Sequence, residues 1–189
     1  MTSLRGEFQT MSHLLDFRRE KDHYFAHNPH SPLLPEQRQD FQGLRYYEEN
    51  PALCFEVTIE PYTGGEHRTI PMQTSTGSVV DYERYGRFTF QVDGQEVALT
   101  VYMSAGNGGF FVPFMDATSG EETYSGGRYL ELEPLPGGRY LVDFNMAYNP
   151  YCAYNELWTC PIPPKENRLS VPIRAGEKNF TGVWAEGRH

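Results

Sequence analysis

Residues 87–103, RFTFQVDGQEVALTVYM, constrain this chain more than any other stretch, because they admit one local solution. Asp93-Gly94 suits a two-residue type I′ turn, and the flanking residues alternate apolar and polar with a period of two. That turn sets Phe90 opposite Val97 and Phe88 opposite Leu99, so both cross-strand pairs are apolar on one face. A slip of one residue would turn the whole face outward. The stretch therefore demands a sheet with one buried side.

The same period recurs along the chain. Leu53, Phe55, Val57 and Ile59 alternate with Cys54, Glu56, Thr58 and Glu60, and Ile70, Met72 and Thr74 continue the pattern. Further strands are expected at GFFVPFMD, around 128–133, at GGRYLVDFNM and over 169–173. The 18 Gly, 14 Pro and 14% aromatic content favour strands and turns over helices. One helix is expected, from Ser12 to His27. Leu14, Phe17, Lys21 and Tyr24/Phe25 form its narrow stripe, Ser12 caps it and Asn28-Pro29 ends it. Arg18 and Asp22 make an i,i+4 pair on the opposite, solvent-facing surface.

The expected fold is mainly β: an antiparallel β-barrel or β-sandwich of about eight strands with an N-terminal α-helix, in one domain over 1–189. Residues 28–50 form an extended wrap holding at most a turn of helix. Residues 51–178 carry the β core and a C-terminal motif block.

A net charge of −9 argues against a nucleic-acid partner and against an anionic membrane surface. No apolar run approaches about 20 residues, and the first residues lack a signal-peptide core, so a cytoplasmic location is expected. No P-loop, dinucleotide fingerprint or nucleophile elbow occurs, so no cofactor is expected. His23 and His27 share a helix face, but Tyr24 stands where a zinc-protease motif needs Glu, which leaves a solvated helix end. Gly106 to Gly109 read as a hairpin-type turn.

The candidate chemistry lies in Asp143–Lys178, DFNMAYNPYCAYNELWTCPIPPKENRLSVPIRAGEK, which gathers polar side chains that are awkward to bury. In GRYLVDFNM, Tyr140, Val142, Phe144 and Met146 share one face. Asp143 and Asn145 take the other, about 7 Å apart along the strand. Alternation also places Arg128 with Leu130 and Leu132, and Asp116 with Val112 and Phe114. A buried guanidinium needs a carboxylate, and Asp116 or Asp143 is the natural partner. Such a pair is either an anion clamp at a barrel mouth or a structural tie that fixes strand order. Cys152 and Cys160 read as a loop staple, as buried inert thiols, or more weakly as metal ligands; a cytoplasmic setting argues against a stable disulfide. Cys54 reads as a packing or surface residue.

PFMDATSGEETYSGGRYL and the block from Asp143 to Lys178 resemble the bacterial and archaeal family called domain of unknown function 1684. The likeness rests on Asp116, Thr118, Gly120, Tyr124, Gly127, Arg128, Asp143, Asn145, Tyr148, Asn149, Cys152, Cys160, Asn167, Glu177 and Lys178. It implies a small β-rich domain whose motif residues meet in space, and it carries no established activity.

From these readings a monomer or homodimer is expected, with a pocket for a small polar or anionic molecule. Arg128 and Lys178 would hold an anionic or carbonyl group, Asp143 and Glu177 would pair with them, and Asp116 would also contribute to the ligand site. Tyr124, Asn145 and Asn149 would orient the ligand, with Asp143 and Glu177 as candidate acid and base. The alternatives are a structural or protein-interaction domain in which the block is a polar plug, and a metal site on Cys152 and Cys160.

Overall fold

The Asp-Gly hairpin forms in the expected register, with Phe90 facing Val97 and Phe88 facing Leu99. Asp93 takes a positive φ of 49°, as the first position of a type I′ turn requires. The chain is described by a computed structural model covering residues 3–66, 68–104 and 109–183. The expected turn at Gly106 to Gly109 falls mostly on residues outside those described.

Nine antiparallel strands among the described residues form two sheets. In the larger, β2 (Glu60–Pro61), β4 (Val79–Val92), β5 (Gln95–Ser104), β6 (Phe110–Phe114) and β7 (Arg128–Leu130) lie in that order, and β3 (Thr69–Gln73) pairs with β4. The smaller has the order β1 (Cys54–Thr58), β9 (Arg139–Asp143), β8 (Glu133–Leu135). One core joins them. Phe88, Phe90, Leu99, Val112 and Phe114 of the larger sheet pack with Val57 and Val142 of the smaller, and with Phe144, Val171, Ile173 and Ala175 of the motif block. Neither sheet closes into a barrel among the described residues.

The helix α1 runs from Ser3 to His27, so it starts well before the expected cap at Ser12. Residues 3–12 contain no proline, and their single Gly6 is too weak a breaker to stop a helix that continues downstream. Arg18 and Asp22 do not form the expected solvent-facing pair. Arg18 donates to the Tyr47 carbonyl at 3.1 Å and stacks on the Tyr46 ring, while Asp22 accepts from the Leu44 amide at 2.9 Å. Both turn to the wrap, which contains one short helix, α2 (Pro35–Gln39). None of the described helices is long and apolar enough to cross a membrane.

Two strand expectations need correction. β9 ends at Asp143, and Phe144–Met146 is a 3₁₀ turn capped by the Asp143 side chain, which accepts from the Asn145 amide. Asp143 and Asn145 are therefore in direct contact rather than spaced along a strand face. Residues 169–173 are not a strand either: Leu169 and Val171 bond across to Met115 and Ala117 in an irregular run.

Gly86 has a steric cause. It lies at a register shift in β4, and a Cβ there would stand 2.4 Å from the Glu60 carbonyl oxygen on β2. Gly86→Ala is expected to cost about 1–3 kcal/mol through overpacking, measured by urea unfolding. A loss below about 0.5 kcal/mol would mean that β2 is free to move away.

Candidate functional site

Arg128 is fully buried, and its terminal nitrogens are all engaged. Nη1 donates to the carbonyls of Ala175 and Glu177 at 2.5 and 3.2 Å; Nη2 donates to the Ile173 carbonyl at 2.7 Å and to Asp116 Oδ1 at 3.3 Å. Nε has no partner. Burial lowers the pKa of this guanidinium, and the Asp116 charge acts in the opposite sense. Asp116, not Asp143, is the carboxylate partner. Its Oδ2 also accepts from the Ile173 amide at 2.7 Å and from the Thr118 hydroxyl at 2.8 Å. Together they fasten 173–177 to β6 and β7.

The asparagines of the motif do similar work. Asn145 accepts from the Asn50 amide at 2.8 Å and donates to the Asn50 carbonyl at 3.0 Å. Asn167 treats Thr100 the same way and also donates to the Pro113 carbonyl, joining β5 to β6. Asn149 donates to the Lys178 carbonyl and to Glu177. Asn145 and Asn167 each supply the complementary edge that a missing strand would have supplied.

Glu177 stands at the end of the stretch that Arg128 holds. Gly176 precedes it with a φ of +77°, packed so closely that a Cβ would meet the Ala147 and Phe144 carbonyls at 2.6 and 2.7 Å. The Glu177 carboxylate is 1% exposed and has four donors: Lys21 Nζ at 2.7 Å, the Asn149 amide at 3.2 Å, Asn149 Nδ2 at 3.1 Å and the Tyr154 hydroxyl. Burial and the Glu177 charge raise the Tyr154 pKa well above its ordinary value, so the phenol keeps its proton and donates it in this bond. Lys21 comes from α1, and its ammonium lies 5.2 Å from the Tyr148 ring centre and 5.6 Å from that of Phe25.

The remaining expected site residues do not meet Arg128. Lys178 lies over the Tyr47 ring, beside a surface cluster in which Glu122 accepts from Tyr47 and, at two nitrogens, from Arg174. Burial and the Glu122 bond push the Tyr47 pKa up to about 12. The Tyr124 hydroxyl reaches only the Cys152 carbonyl, at 3.5 Å. Cys152 and Cys160 form a disulfide with Cα atoms 6.3 Å apart, so the loop-staple reading is the one the structure adopts. Both sulfurs are thereby used, and no cluster of three or more metal-binding side chains occurs among the described residues. Burial and the nearby Asp143 charge push the Cys54 thiol up to about 11.

The concave feature lies elsewhere. A cleft of about 1130 Å³ opens between α1 and the edge formed by 131–133, β9 and 146–151. Its helix wall is a single stripe of Leu14, Phe17, Lys21, Tyr24 and Phe25; opposite stand Leu132, Leu141, Met146, Tyr148 and Tyr151. Glu20, Glu49, Glu131, Glu133 and Asp143 supply its acidic groups, and His13 also lines it. Of the residues expected to bind ligand, Asp143 alone lines it. The sequence carried one signal for this wall: Lys21 sits in the apolar stripe of the helix, where a cation must find a buried acid.

Arg128→Met is expected to destabilise the protein by about 3–5 kcal/mol in urea, with part regained in Asp116→Asn/Arg128→Met, because the single change strands a buried charge. A cost within about 1 kcal/mol would show that the clamp does not hold 173–177. Reducing the disulfide, whose partners are 8 residues apart, should lower stability by about 2.5 kcal/mol on the chain-entropy account, read as the shift in urea midpoint with and without dithiothreitol.

A family model described as "Protein of unknown function (DUF1684)" matches residues 39–178. The chain is also similar to the solution NMR structure of an uncharacterized protein from Haloarcula marismortui. The two are 36% identical with a TM-score of 0.69, over 94% of this chain and 97% of that one. No curated protein matches. The matched region takes in the sheets, the Arg128 clamp and Glu177, and on that footing the chain belongs to the DUF1684 family.

Proposed function

We propose that the protein binds a small molecule in the cleft between α1 and the three-stranded sheet. The observation that carries this reading is the cleft itself, about 1130 Å³, lined by nine aromatic and aliphatic side chains together with five acids, Lys21 and His13. Small-molecule sites are clefts of roughly 300–1,000 Å³ walled mainly by aromatic and aliphatic groups, and this one stands just above that size. Holding a ligand there requires no rearrangement of the buried polar network.

The motif block has a different part in this reading: it is a polar plug. An anion held by Arg128 would have to displace three main-chain carbonyls and reach a side chain with no exposure, so the clamp role loses to the structural one. The plug supports the cleft indirectly. Glu177 fixes Lys21, and Lys21 fixes the helix that forms one wall.

A thermal-shift screen of a metabolite library, followed by amide chemical-shift mapping of the hits, tests the proposal. Hits should perturb α1 and residues 131–151. Leu141→Trp, which places an indole in the cleft, should weaken those hits at least tenfold while leaving the unfolding temperature within a few degrees. Hits that map elsewhere, or that bind the filled variant equally well, would count against the cleft.

A further inference from the structure

Resting on the cleft reading, we infer that the ligand is an amine with an apolar, preferably aromatic, body. The charges around the cleft are one-sided. Glu20, Glu131 and Glu133 have no cation partner there; Glu131 only accepts from the Tyr148 hydroxyl at 3.3 Å. Glu49 and Asp143 also line the cleft, and the half-buried Arg18 behind them offsets part of their charge. The basic groups on the lining are His13 and Lys21, and Lys21 is bound to Glu177. An anion entering would therefore meet repulsion with no available ammonium or guanidinium to receive it, whereas a cation would meet attraction on both walls.

A second observation is independent of the acid count. The Lys21 ammonium already rests against the Tyr148 and Phe25 rings at 5.2 and 5.6 Å, at the base of the same cleft. The walls thus hold one ammonium against aromatic faces in the folded protein, and Tyr24, Tyr151 and Phe17 present further rings beside it. Aromatic faces attract cations through their quadrupoles, most strongly where water is thinned, and the same rings accommodate an apolar body. Aromatic walls and a carboxylate rim together select a positively charged head on a hydrophobic tail.

The test uses three probes with one body and different heads: 4-phenylbutylamine, 4-phenylbutanol and 4-phenylbutyrate. Each is titrated to millimolar concentration against the intact protein by amide chemical-shift mapping. The amine should bind about tenfold more tightly than the alcohol, and the carboxylate should bind most weakly. The margin should shrink in high salt. Glu131→Gln/Glu133→Gln, at two exposed positions, should remove most of the amine's advantage over the alcohol. If the alcohol or the carboxylate binds the cleft as well as the amine, the inference falls while the cleft stands as a binding site. The same holds if the double variant keeps the full preference. If no probe perturbs the cleft, or the amine perturbs only remote carboxylates, the cleft reading falls with it.

Discussion

Arg128 is the interaction on which the rest of the molecule depends. A guanidinium without solvent is tolerable only when most of its hydrogens are received, and here three alternate carbonyls of 173–177 and one carboxylate receive those of the two terminal nitrogens, leaving Nε–H without a partner. That requirement shapes an irregular segment that lies outside both sheets and meets the wrap through the isolated bridge between Tyr46 and Glu177. The segment ends in Glu177, whose carboxylate is thereby presented at a defined point beneath the helix. Lys21 answers it, and α1 takes its place. A charge buried in the β core thus adds a fixed point to a helix that Arg18, Asp22 and Phe25 also hold against the wrap.

The asparagines extend the same logic to the main chain. Asn145 and Asn167 each offer one acceptor and one donor to the N–H and C=O of a single residue, the pattern of a neighbouring strand compressed into one side chain. In a protein with short strands and long irregular connections, such side chains satisfy buried amides that no sheet reaches. The concentration of polar residues in the motif therefore has a structural origin, and it leaves the cleft, lined mostly by apolar residues outside that network, as the place where a ligand fits.

The extent to which this was legible in the sequence follows the range of the interactions. The Asp93-Gly94 hairpin is local, and its register could be read from turn chemistry and alternation alone. Burial of Arg128 and Asp116 follows from strand faces, which leave the partner of Arg128 open between Asp116 and Asp143. The three carbonyl partners of Arg128 do not follow from them, because they belong to a segment far along the chain with no periodicity. Phe144-Asn145-Met146 reads as a continuation of the strand because a capped 3₁₀ turn and a strand look alike over three residues. The cleft was invisible, since it exists only once α1 lies against β9. Lys21 stands in an apolar stripe, but its acid, Glu177, reads in the sequence as a partner for Arg128 or Lys178, so the tie between helix and motif stays hidden.

The bond between Lys21 and Glu177 spans 156 positions, and that separation has a consequence for synthesis. A ribosome adding roughly 5–20 residues per second releases the helix on the order of ten to thirty seconds before its acid. Through most of that interval Arg18, Asp22 and Phe25 can already meet Tyr47, Leu44 and Leu33 of the adjacent wrap, while Lys21 and the cleft-facing part of the stripe lack their late partners. The newborn chain thus carries a helix fastened on one side, its other side open to capture by hydrophobic surfaces until the final motif emerges. Completing the helix's attachment is a late event of biogenesis, and a chain stopped short of Glu177 would leave Lys21 without its acid.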